Sequence, residues 1–279
     1  MIPAEFDYHR AESVDDAIRA LAEGGEDAKL LAGGHSLIPL MKLRFATPSL
    51  LVDISRLEEL RGVSADDGEL RIGAGTRHAE LAAAKAGLVA HAAGLIADQQ
   101  VRNRGTIGGS LAHGDPASDL PGVLLAAEGS VSVRGPGGER TIAAADLFED
   151  LWTTALADDE VITEARVPKL SGYGWGYEKF SRRSEDWAMV GVCALVKASD
   201  GQCEDVRVGL THMGPTPLRA SAAEQALRGR PLDAERIAAA AEQAAEGTNP
   251  PGDLNATPDY KRHLARVLTR RALEEAAGS

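Results

Sequence analysis

Apolar residues at helical spacing open the chain. Ala17, Ile18 and Leu21 share one face of a helix that Ser13 starts, with Asp16 three residues on, and Gly24-Gly25 end it. Residues 29–32 then read as a short strand, followed by a glycine loop at 33–36 and an apolar segment at 37–43. Apolar runs at 50–54 and 69–74 predict two more strands. Thr76 is placed to cap a helix running through 81–85, and 89–97 predicts a second helix beside it. Residues 102–109 read as a loop. Ser118-Asp119 then start a helix over 120–127. Residues 130–134 and 139–142 flank Gly135-Pro136-Gly137-Gly138, a hairpin signal. Residues 159–167 read as the last strand of this half.

The pattern changes after residues 168–172, the best candidate for a domain boundary. Segments 173–181, 189–198 and 206–213 alternate or run apolar as strands do, with a turn at Asp200-Gly201. Beyond Pro215 and Pro217 the chain turns alanine-rich and helical, over 220–227, 233–245 and 257–277. Thr257-Pro258 gives the last helix a cap and a proline at its first position. Strands followed by helices predict an antiparallel sheet of three strands under a helical layer, so the class is α+β. Gly172-x-Gly174-x-Gly176 lies inside the first of these strands and reads as a bend or a close backbone approach, not a dinucleotide fingerprint.

Composition narrows the functions. The 279 residues suit one large domain or two modest ones, and the net charge of −12 argues against broad electrostatic binding to nucleic acid or anionic membrane. An anionic ligand must therefore be held by local donors. Cys193 and Cys203 fit no zinc or redox spacing. Two thiols also fall short of the about four ligands of an iron–sulfur cluster. They read as free, packed thiols in a reducing compartment. Residues 1–20 lack the apolar segment of a signal peptide, and the least polar stretch, 86–97, is far shorter than the about 20 residues of a membrane span. A cytoplasmic location is expected.

Two glycine loops carry the candidate chemistry: Ala32-Gly33-Gly34-His35-Ser36 and Gly105-Thr106-Ile107-Gly108-Gly109-Ser110. Glycines let a ligand approach the backbone, successive N–H groups make an anion-binding concavity, and the hydroxyls add donors. Each loop alone is also an ordinary turn. Just beyond the second, His113, Asp115 and Asp119 follow. Asp119 suits ligand hydroxyls or a helix cap. His35 and His113 have no partner at metal-ligand spacing, so no metal is expected.

These motifs, in this order, carry a resemblance. Residues 32–39 (Ala32-Gly33-Gly34-His35-Ser36-Leu37-Ile38-Pro39) and Arg102-Asn103-Arg104 with the second loop resemble the flavoprotein (medium) subunits of molybdenum hydroxylases. The aerobic carbon monoxide dehydrogenase type is most similar, and xanthine dehydrogenase has a similar FAD domain. Ile72-Gly73-Ala74-Gly75-Thr76, residues 177–183 with Asp186-Trp187-Ala188, Tyr260-Lys261-Arg262 and Arg270-Arg271-Ala272 extend the resemblance over the whole chain.

The resemblance implies a two-lobed FAD-binding fold of the vanillyl-alcohol-oxidase (PCMH-like) kind over residues 1–170, with lobes of about 1–56 and 57–170. A C-terminal domain of the carbon monoxide dehydrogenase flavoprotein type would follow over 173–279. Ala32, Gly33, Gly34, His35 and Ser36, with Thr106, Ile107, Gly108, Gly109 and Ser110, would hold the FAD pyrophosphate and adjoining groups. Leu37, Thr76 and Asp119 are matched by their place in the motifs. Lys179 and Asp186 would approach the flavin ring, the lysine steadying negative charge there, or else standing as a surface charge. Trp187 would cover a ring face, or else pack at a domain interface.

No catalytic side chain and no metal ligand is implied. The implied role is an electron relay, between a small [2Fe-2S] subunit and an external acceptor, beside a large molybdenum-cofactor subunit, in a dimer of heterotrimers. A stand-alone FAD oxidoreductase and a flavin-free assembly protein are the alternatives. Gly34→Val or Gly108→Val is expected to abolish FAD binding and leave much of the fold.

Overall fold

The structure is a computed structural model describing residues 2–66 and 68–278. The first lobe holds β1 (Asp7–Arg10), α1 (Val14–Gly24), β2 (Ala28–Leu31), α2 (Leu37–Lys42) and β3 (Leu50–Asp53). Its three strands run parallel in the order β1-β3-β2. Helix α1 forms as its sequence dictates. The Ser13 hydroxyl accepts from the Asp16 N–H at 3.0 Å, and Gly25 leaves the helix at φ 66°. Its apolar face packs with Val52, Leu60 and Val161 in one core. Strand β1 carries no apolar alternation, because it is a largely exposed edge. The apolar segment at 37–43 is helical.

The second lobe follows: β4 (Val63–Asp66), β5 (Glu69–Gly73), α3 (His78–Ala83), α4 (Gly87–Gly94), α5 (Gln99–Arg102), α6 (Ile107–His113) and α7 (Asp119–Ala126). Then come β6 (Ser130–Gly135), β7 (Gly138–Ala143), α8 (Ala144–Leu147), β8 (Phe148–Asp150), β9 (Thr153–Thr154) and β10 (Val161–Pro168). Five antiparallel strands lie in the order β4-β5-β10-β6-β7, with the expected β6–β7 hairpin at one edge. Two local readings change. Thr76 does not cap α3. Its hydroxyl donates to the Gly62 carbonyl and accepts from the Gly62 N–H, while the Glu80 carboxylate accepts from the Arg77 N–H at 2.9 Å. The 102–109 segment is only half loop: α6 begins at Ile107, with the Thr106 hydroxyl accepting from the Gly109 N–H at 3.1 Å. Glycine pairs are poor helix formers. Close packing on Ala74 outweighs that here, since a Cβ on Gly108 would stand 2.5 Å from the Ala74 Cβ.

The third unit is β11 (Tyr173–Phe180), β12 (Val190–Ser199), β13 (Gln202–Thr211), β14 (Leu218–Arg219), α9 (Ser221–Leu227), α10 (Ala234–Glu242) and α11 (Pro258–Gly278). The expected antiparallel three-stranded sheet is present, and the two-residue β14 adds a fourth strand. Strand β12 is apolar without alternation because both faces are covered. Val192, Ala194 and Val196 meet the helices of their own unit, whereas Cys193 and Leu195 join the core of the second lobe. The glycine run in β11 includes one close approach: a Cβ on Gly176 would collide with the Ala272 carbonyl of α11. Both cysteines are free and buried.

Candidate functional site

A cleft of about 740 Å³ opens where the two lobes and the third unit meet. Both glycine loops line it, from opposite lobes, and residues 185–187 with Lys179 approach from the third unit. The volume falls in the range of small-molecule and cofactor sites, about 300–1,000 Å³.

The first loop has the chemistry of an anion cradle. Gly34 adopts φ 78°, which turns the chain sharply between β2 and α2. Among the described residues, no hydrogen bond within the chain uses the N–H groups of Gly33, Gly34, His35 or Ser36. Four successive donors thus stand free at the cleft, with His35 and Ser36 exposed. Such a nest suits a pyrophosphate without any lysine. Gly33 lets the loops meet, because a Cβ there would collide with the Arg104 carbonyl.

The second loop differs from expectation. All of its N–H groups but that of Thr106 are engaged within the chain: Gly105 donates to the Val101 carbonyl, Ile107 to the Thr76 carbonyl, Gly108 to Ala74, Ser110 to Thr106, and Gly109 to the Thr106 hydroxyl. What it offers the cleft is the partly exposed Ser110 and a smooth glycine surface. Thr76 and Ile107 are buried and lie outside the cleft lining, held by Gly62 and by the core of the second lobe. All the other expected residues line it: Ala32, Gly33, Gly34, His35, Ser36, Leu37, Thr106, Gly108, Gly109, Ser110, Asp119, Lys179, Asp186 and Trp187.

One wall carries a buried charge pair. The Lys179 ammonium, with its side chain 6% exposed, donates to Asp119 Oδ2 at 2.9 Å and to the Leu95 carbonyl at 3.0 Å. Lys179 is therefore no surface charge. The Tyr177 hydroxyl donates to Asp119 Oδ1 at 2.6 Å, so both carboxylate oxygens have partners inside the protein. The Asp119 side chain does not cap α7. Burial raises its carboxyl above the usual range, against the pull of Lys179 and Tyr177, and burial with Asp119 pushes the Tyr177 hydroxyl well up. The network joins β11 to the ends of α4 and α7, and so fixes the third unit against the second lobe.

The rim is aromatic. Trp187 is 69% exposed and Trp152 62% exposed, and both line the cleft. Trp187 is thus not an interface core residue. Asp186 sits beside it, with Arg182 at 4.0 Å. Sequence reasoning missed Trp152, Tyr177 as the partner of Asp119, and His78. His78 is buried at the cleft, where burial first, then Arg102 and His35, bring its pKa down to about 4. No periodicity marks these positions. An aromatic in the polar run before β9 was the one available signal for Trp152.

Fold and cleft together define a class. Residues 4–170 match the FAD binding domain in molybdopterin dehydrogenase, and 175–276 match the CO dehydrogenase flavoprotein C-terminal domain. The chain belongs to this family of FAD-binding components of molybdopterin dehydrogenases, and is an oxidoreductase component that carries FAD. It is similar along its whole length to the carbon monoxide dehydrogenase medium chain of Hydrogenophaga pseudoflava, at 43% identity over 99% of this chain and 98% of that one. The solved carbon monoxide dehydrogenase from that organism, in a form lacking the Mo-pyranopterin moiety, superposes with a TM-score of 0.97 at 45% identity, covering 100% of this chain and 99% of that one. The 6-hydroxypseudooxynicotine dehydrogenase complex subunit alpha of Paenarthrobacter nicotinovorans is 40% identical over 99% of this chain and 96% of its own length. Among the described residues, no helix is long and apolar enough to cross a membrane.

Proposed function

We propose that the chain is the electron-relay subunit of a cytoplasmic three-subunit molybdenum hydroxylase. It would take electrons from a [2Fe-2S] subunit, pass them to an external acceptor, and work beside a large molybdenum-cofactor subunit in a dimer of heterotrimers. The observation that carries this reading is the set of four free backbone donors at residues 33–36, facing a 740 Å³ cleft in a chain of net charge −12. They are donors for an anionic cofactor, and the buried Asp119–Lys179 pair at the wall is held within the protein, by each other and by Tyr177 and Leu95.

Under this reading residues 33–36 bind the FAD pyrophosphate, and Ser110 adds a hydroxyl from the opposite loop. Thr106 and Gly108 act by shaping α6, and Thr76 and Ile107 by supporting it from the core. Lys179 supplies fixed positive charge at the wall while Asp119 orients it, and Asp186 and Trp187 close the rim. When bound, the flavin accepts electrons singly and gives them up in pairs, which is the chemistry a relay needs. Residues 1–170, as lobes of about 1–56 and 57–170, form the cofactor-binding part, and 173–279 the part that closes the cleft. The named relatives act on different molecules, carbon monoxide and 6-hydroxypseudooxynicotine among them, so a shared relay explains the likeness better than a shared substrate.

The test is to co-express the chain with the subunits encoded beside it and compare flavin bleaching with and without them. Aldehydes, purines and other small donors should leave the flavin of the isolated chain oxidised, while the assembled complex is bleached by its own substrate. Rapid bleaching of the isolated chain by such a donor would instead establish a stand-alone oxidoreductase.

A further inference from the structure

A second buried cation lies apart from the cleft wall. Lys261, on α11, is fully buried, and it is a large side chain to hide with its charge. Its ammonium donates to Asp253 Oδ2 at 2.7 Å and meets His212 Nε2 at 3.2 Å. An ammonium has donors only. His212 Nε2 must therefore be the bare acceptor nitrogen, and Nδ1 must carry the proton. That proton is donated to the Ala188 carbonyl at 2.8 Å. Burial, and then the neighbouring Lys261 charge, hold His212 below the usual histidine range, against the Ala188 carbonyl, Asp253 and Asp115. The imidazole is neutral, in one tautomer, set by the lysine.

The histidine is tied in a second direction. It stands at φ 63°, in the left-handed region, and its backbone N–H donates to the Pro116 carbonyl at 2.9 Å. Ala188 follows Trp187 and Asp186 on the cleft rim, and Pro116 lies between Asp115 and Ser118 on the cleft wall. One residue thus pins two separate segments of the cleft. Trp187 is 69% exposed, so backbone ties on its neighbours hold it: the Asp186 N–H donates to the Arg183 carbonyl, the Met189 N–H to the Phe180 carbonyl, and His212 is the side chain that ties the Ala188 carbonyl between them. A buried ion pair is costly compared with an apolar replacement, and its best-attested use is positional.

We propose that Lys261, Asp253 and His212 form a positioning relay that holds the Trp187 rim over the cleft, distant from any contact with the ligand itself. Its effect on cofactor binding rests on the function proposed above, but its effect on Trp187 does not.

The test labels the full chain with 5-fluorotryptophan and follows the three tryptophan resonances by 19F NMR, the Trp187 signal being assigned with Trp187→Phe. His212→Gly keeps the left-handed backbone and loses the side-chain donor. His212→Asn also tolerates that backbone and restores a donor close to the position of Nδ1. Lys261→Met removes the charge from the other end. His212→Gly and Lys261→Met should shift the Trp187 resonance towards that of free 5-fluorotryptophan and leave Trp175 in place, and His212→Asn should retain the parent spectrum. FAD affinity, titrated by absorbance, should fall about tenfold in His212→Gly and recover in His212→Asn. If Lys261→Met does not fold, the His212 pair decides. An unmoved Trp187 signal in His212→Gly, a shift of all three signals together, or no recovery in His212→Asn overturns the relay. Failure of the parent chain to take up FAD would overturn the proposed function instead, and the Trp187 signal would still judge the relay.

Discussion

Lys179 is almost wholly buried in a pair with Asp119, and that sets its cost and its use. With its side chain 6% exposed, it depends on Asp119 and the Leu95 carbonyl for solvation. Removing one member of such a pair strands the other. Lys179→Met should cost about 3–5 kcal/mol in urea unfolding, and adding Asp119→Asn should recover much of the loss. Additive losses in the double variant would show that the two groups act independently. Asp205 gives a pH signature. Burial alone would raise its carboxyl, but hydrogen bonds from Tyr173, Arg207 and Arg228 outweigh burial and bring it to about 2. A depressed folded-state pKa contributes stability above the unfolded value and loses it as pH falls. The contribution should therefore be complete above about pH 4 and vanish towards pH 2. Melting curves of the parent against Asp205→Asn should converge over that window, and curves that stay parallel down to pH 2 would contradict the assignment.

At the scale of elements, the sequence was readable where one local signal decides the outcome. Ser13 and Gly24-Gly25 bound α1 because cap chemistry is local, and the apolar run at 189–198 marked β12 as a strand. It failed where tertiary contact decides. Nothing in the sequence says that Thr76 turns to Gly62, or that the glycine at 108 enters a helix packed so closely on Ala74 that a Cβ there would collide. The same contact revises the expectation for Gly108→Val. Its side chain would strike the chain's own Ala74, so the variant should lose about 3 kcal/mol of stability along with FAD, read as parallel drops in melting temperature and flavin content. Ser110→Phe is the cleaner variant. Ser110 is partly exposed on the cleft, so the substitution should block FAD and leave the melting temperature of the apo chain unchanged. Bound FAD at parental levels in Ser110→Phe would move the ligand elsewhere. For the site, the positions of both glycine loops were legible, because glycine runs with hydroxyls are visible as such. Which loop keeps free N–H groups was not, since that depends on partners far away in sequence.

Across the whole molecule, three cores meet around one cleft, and the third unit is joined to the second lobe by more than packing. Cys193 and Leu195 complete that lobe's core, and Tyr177 and Lys179 complete its polar wall. Leu195→Ala should therefore cost about 3 kcal/mol and loosen both parts together, seen as one calorimetric transition moved downward. Two transitions, with only one moved, would mean that the parts unfold separately. Under the proposed function, a chain of net charge −12 would hold its anionic cofactor by the four backbone donors of one loop, at a cleft that residues 185–187 of the third unit also line. The most direct test of this account is to titrate the purified parent chain with FAD, record its visible spectrum, and identify the flavin released by acid. The account predicts saturable uptake of one FAD per chain, with bands near about 370 and 450 nm, released as FAD and not FMN. Folded chain that stays colourless under saturating FAD would contradict it.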